Sequence, residues 1–262
     1  MRSSRAAAAL ACMLCAASAL SDSAAPDDIQ PHRTTPQGLP EPHYVEFDCH
    51  GFEVCFDAEL YERDPALSAR VVHRLEDGLA SLSDRLPRSA FNRLSVRTRI
   101  WVSDAHSGAE TPESSLGMVF HPSEHWLEAR GLDIRMAGGI QIRSQQNFLD
   151  WRMHSPEHLL HELAHAFHRL LDQNTQELIS EAFVLAQSSS RYEHVRYLHW
   201  RPSLTRRAYA MENQHEYFAE LSEAFFGINE FQPHTRAELR SFDPVGYVAI
   251  ESAWLSGENS NK

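Results

Sequence analysis

Residues 158–170 read His-Leu-Leu-His-Glu-Leu-Ala-His-Ala-Phe-His-Arg-Leu. On a helix, Leu159, Leu160, Leu163, Ala164, Phe167 and Leu170 supply an apolar face, while His161 and His165 leave another side one turn apart. Such a helix is half core and half site. The fold must press its apolar side against other elements and still leave room beside the imidazoles. The expected start is Ser155, Pro156 and Glu157, reading as an N-cap, a proline at the first helical position and an acid in the first turn.

His161 and His165 can bind one metal ion, and Glu162 sets a carboxylate where it could take a proton from a metal-activated water. The pattern is the His-Glu-x-x-His signature of zinc hydrolases, which needs a third ligand from elsewhere. With 16 histidines in 262 residues, the five letters would arise by chance about one time in ten. The third ligand therefore decides. Glu216, Glu220 and Glu223 fall four and then three apart, on one helical face. One of these carboxylates could complete a His₂Glu site, and the next could accept from a ligand imidazole. A solvated acidic stripe, or Glu216 acting as capping partner of Asn213, accounts for the same letters.

The remaining patterning predicts an α+β fold, strands first and helices after, with the site between the halves. Val45 and Phe47 alternate with polar residues, and His50-Gly51 turns the chain into Phe52–Phe56, a hairpin. Asp64-Pro65 opens an amphipathic helix that Pro87 ends. Leu94, Val96, Thr98, Ile100 and Val102 alternate as a strand, and Gly117–Phe120 and Gly139–Ile142 are two shorter ones. The last of these, just upstream of the histidine helix, is expected at a sheet edge where an extended peptide could add itself. Further helices are expected from Asn174, over 213–226 and after Asp243-Pro244.

The net charge of −12 argues against a nucleic-acid partner. Arg2, Arg5 and the apolar run Ala6–Leu20 before small residues read as a signal peptide over 1–24, too short for a comfortable membrane span. No stable span is expected after its cleavage. A secreted, extracellular or periplasmic location follows. The Pro-rich stretch 25–42 is a linker or short pro-segment, and one domain fills 43–262. Cys12 and Cys15 fall in the signal, so Cys49 and Cys55 are expected to pair as a disulfide, with two free buried thiols as the alternative.

HELAH at 161–165 followed about fifty residues later by Glu216-Tyr217-Phe218-Ala219-Glu220 resembles the gluzincin metallopeptidases of the anthrax lethal factor and Pro-Pro endopeptidase type. The resemblance covers His158 to Phe226. It implies a zincin-like catalytic domain: a twisted N-terminal sheet with a backing helix and the active-site helix, then a mainly helical part. It also implies one Zn²⁺ per chain held by His161, His165 and Glu216, with Glu162 as general base. Glu220 would support the site, Tyr209 would donate to the oxyanion, and the substrate would be a peptide or protein. A catalytically idle zinc-binding secreted protein and a zinc hydrolase of a non-peptide amide are the other readings of the same residues.

Overall fold

The computed structural model describes residues 43–103, 117–150, 157–198 and 205–255. The expected signal peptide, the 25–42 linker and the Ser155-Pro156 cap lie outside the described residues. Strand β1 (Tyr44–Cys49) is hairpinned onto β2 (Phe52–Asp57). Their turn is His50 and Gly51, with φ of 54° and 86°, the left-handed two-residue connection whose twist suits antiparallel strands. That turn pairs Cys49 with Phe52 and therefore Cys55 with Glu46.

The expected disulfide is corrected by this register. Successive side chains in a strand alternate between faces, so Cys49 and Cys55 project to opposite sides of the sheet. Cys49 packs into the larger core and Cys55 into a smaller cluster with Trp101, Leu127 and Met136. Both are free and buried. Burial, reinforced by nearby acids, pushes each thiol up to about 12.

Helix α1 (Ala58–Arg63) leads to α2 (Pro65–Arg85), whose first turn is capped by Asp64 Oδ1 accepting from the Leu67 N–H at 3.0 Å. Val71, Leu75, Leu79 and Leu82 of α2 are buried against the sheet, each contributing on the order of 1.5–3 kcal/mol. The strand expected from Leu94 is a second correction. Helix α3 (Arg88–Arg97) occupies its first half, and only β3 (Ile100–Val102) is extended. Ala90, Phe91 and Leu94 are the buried residues of α3, while Val96 is 79% exposed.

Strand β4 (Met118–Phe120) and β5 (Ile140–Ile142) complete a five-stranded mixed sheet in the order β1-β2-β3-β5-β4. β2, β3 and β5 are parallel and β4 is antiparallel to β5. The edge strands are thus β1 and β4, and the 139–142 strand expected at an edge is interior. Helix α4 (Glu124–Glu128) and a 3₁₀ turn at Ile134–Met136 cover the smaller cluster, and α5 (Gln145–Asp150) follows β5.

Helices α6 (His158–Leu170) and α7 (Gln173–Ser188) come next, then a two-stranded ribbon, β6 (Val195–Arg196) with β7 (Thr205–Arg206). A 3₁₀ turn at Tyr209–Met211 precedes α8 (Gln214–Phe226), α9 (Arg236–Phe242) and α10 (Pro244–Leu255). The fold class is therefore α+β. No helix among the described residues is long and apolar enough to cross a membrane.

Trp254 of α10 stacks on Phe167 of α6 at 4.1 Å between ring centroids, and its Nε1–H donates to Ser222 Oγ of α8 at 2.9 Å. The start of α6 and the end of α8 are tied by Arg85 at the end of α2. Its guanidinium grips both oxygens of Glu157, ahead of α6, at 2.9 Å each and donates to the Phe226 carbonyl at the end of α8 at 3.1 Å. Gly227 has no side chain because a Cβ there would collide with the Glu157 carboxylate and Arg85. Arg85→Ala strands a nearly buried carboxylate, so it is expected to lower stability by about 2 kcal/mol, a fall of about 4–8 °C in thermal midpoint by calorimetry.

Candidate metal centre

Helices α6 and α8 pack side by side, and the site is what their facing turns present. His161 Nε2 lies 3.0 Å and His165 Nε2 3.3 Å from the same oxygen, Glu216 Oε2. These three residues offer ligand atoms all within 4.8 Å of one another, a grouping that could hold a metal ion. Asn213 caps α8 alone, its Oδ1 accepting from the His215 and Glu216 N–H groups at 2.8 and 3.1 Å. The Glu216 side chain is therefore free to face the histidines, and the capping-partner role does not apply.

Behind His161 the structure revises the expected division of labour. Glu223 Oε1 accepts from His161 Nδ1 at 2.6 Å, whereas Glu220 Oε1 is 3.9 Å away. The carboxylate that orients the first imidazole is thus Glu223. Its bond puts the proton on Nδ1 and leaves Nε2 as the nitrogen turned toward Glu216. Glu220 stands beside it, buried, with Oε2 meeting no hydrogen-bond partner among the described residues. Burial, then the neighbouring Glu223 charge, holds the Glu220 carboxyl well above the usual range.

Glu162 sits between α6 and the edge strand. Its Oε2 accepts from the Phe120 N–H at 2.7 Å, and its Oε1 is 3.8 Å from His158 Nε2. His158 Nε2 also donates to the Met118 carbonyl at 3.3 Å. Burial is the main cause that pushes His158 down to about 3, so it is a neutral donor at physiological pH. Two side chains of α6 thus hold β4 by its backbone. Nothing but the i, i+4 spacing of His158 and Glu162 signals this in the sequence. Burial pushes Glu162 up to about 8; the His161 neighbour opposes this and Glu216 adds to it. A carboxyl poised near neutrality is suited to exchanging protons with a substrate.

Burial would raise Glu216 as well, but the hydrogen bonds from His161 and His165 outweigh it and leave the group well below the carboxylate range. Tyr209 lies across from the histidines, its ring 6.2 Å from that of His161. Burial, with Glu216 next, raises its hydroxyl to about 12, so it keeps its proton. Phe120 stacks on His165 at 6.2 Å. His121, just past the end of β4, is fully buried, its Nε2 bonded to Gln141 Oε1 at 2.9 Å.

Comparison of the chain with protein-family models, with curated proteins and with solved structures finds no match.

Proposed function

We propose that the chain is a secreted, zinc-dependent metallopeptidase of the gluzincin type on a zincin-like fold. The observation that carries the reading is the convergence of His161 Nε2 and His165 Nε2 on Glu216 Oε2 at 3.0 and 3.3 Å. Two imidazole nitrogens and one carboxylate, with the backing bond from Glu223, are a donor set that suits Zn²⁺, and manganese or cobalt would also be accepted. When bound there, zinc supplies Lewis-acid polarisation of a carbonyl and lowers the pKa of water toward neutrality.

The chain's own residues divide the remaining work. Glu162 takes the proton of the attacking water and passes it to the leaving amine. The Phe120 N–H holds its carboxylate at the edge of the sheet, so the base cannot swing back into the core. Tyr209, protonated and half-exposed, donates to the oxygen that gains charge. Glu223 fixes the ring of His161.

Elemental analysis of the folded chain after dialysis against a weak chelator is the direct test, with one zinc per chain expected. A folded chain that holds no metal and cannot be reloaded would sink the reading. Tyr209→Phe is expected to retain the metal and lose about a hundredfold in turnover on a cleaved peptide, the usual cost of one oxyanion donor.

A further inference from the structure

Next to this centre lies a pair of histidines that the proposed reaction does not use. His168 is one turn beyond His165 on α6, and His215 directly precedes Glu216 on α8. The helix crossing that brings His165 to Glu216 brings these two together as well. Their Nδ1 atoms face each other at 3.3 Å, the rings perpendicular with centroids 4.8 Å apart. His168 is buried and His215 is exposed, so one side of the pair is open to solvent.

The helix turns that carry them are fixed. The His215 N–H is held by Asn213 Oδ1 at 2.8 Å, and the His168 carbonyl accepts from Gln176 Nε2 at 3.1 Å. Imidazole is the commonest metal-binding side chain, and these two present nitrogens toward each other. Two imidazole nitrogens on one tetrahedral ion, at 2.0–2.1 Å each, stand roughly 3.3–3.4 Å apart. The observed separation matches that bite.

We infer that His168 and His215 form a second metal site, distinct from the His161/His165/Glu216 set. Its donors are two nitrogens, with water completing the shell, which selects borderline transition ions such as Zn²⁺, Co²⁺, Ni²⁺ or Cu²⁺ over Mg²⁺ or Ca²⁺. No group of three candidate ligands among the described residues includes either histidine. The site is accordingly weaker than the first and fills only when metal is in excess.

Titration of the metal-free full chain with Zn²⁺ by calorimetry tests this. Two binding events are expected, the weaker of which disappears in His215→Ala while the tighter one is retained. In Glu216→Ala the tighter event is lost and the weaker one remains, so failure of either site is read separately. Circular dichroism checks that each variant is folded; position 215 is exposed, and alanine is well tolerated in a helix. A single event in the unaltered chain, or a second event that survives His215→Ala, overturns the inference.

Discussion

Glu162→Gln is expected to leave the metal in place and to cut hydrolysis by about 10²–10⁴-fold, the usual contribution of a positioned general base. The substitution is nearly isosteric. Its carbonyl oxygen can still accept the Phe120 N–H bond now made at 2.7 Å, so strand β4 and helix α6 keep their spacing. What is lost is the group that accepts the proton of water. Because Glu162 is buried, with its carboxyl pushed up to about 8, the metal-free chain already holds it mostly in the neutral form near pH 7, and a neutral amide of the same shape should leave the thermal midpoint nearly unchanged. Peptide-library cleavage with parallel metal analysis reads both halves of the expectation. Full activity in a metal-loaded Glu162→Gln protein would remove this residue as the base.

The second large effect separates the three glutamates of α8. Glu216→Ala removes an oxygen on which both histidines converge, at 3.0 and 3.3 Å, and metal should be lost on dialysis. Glu223→Ala removes the 2.6 Å partner of His161 Nδ1. Loss of such a backing carboxylate typically weakens metal affinity by about 10–100-fold without abolishing it. Glu220→Ala, 3.9 Å from the same nitrogen, should cost the least affinity. Competition against a chromophoric chelator gives the order directly. If Glu223→Ala released metal more readily than Glu216→Ala, the ligand would be misassigned by two turns of the helix.

The ordering of Glu220 and Glu223 was not legible in the sequence, because residues four and seven beyond Glu216 lie on the same face and only the approach of α6 decides which reaches His161. Long periodic segments were legible: α2 and α8 lie within a residue or two of their expected bounds. The failure at Leu94–Val102 has a local cause. Over four residues, alternation and a helical stripe share positions, and Leu94 is buried in either case. Val96, expected inside a strand, points outward from a helix end. The cysteine pairing was within reach. A two-residue turn at His50-Gly51 couples positions whose numbers sum to 101, which places 49 and 55 on opposite faces. The edge position of β4 was not, since strand order depends on contacts far apart in the chain.

The origin of the ligands on two different helices has a thermodynamic consequence. Helix α6 rests on β4, β5 and α3, whereas α8 rests on α7, α9 and α10, and the two meet each other. An ion gripped by His161, His165 and Glu216 would act as a clasp across that seam. Its binding energy would then add to the cohesion of the whole chain, by about 2.7 kcal/mol at a free concentration a hundredfold above the dissociation constant. Melting temperature would climb with the logarithm of metal concentration. Chelation would remove that increment, which turns thermal stability into a readout of how much metal the surroundings hold.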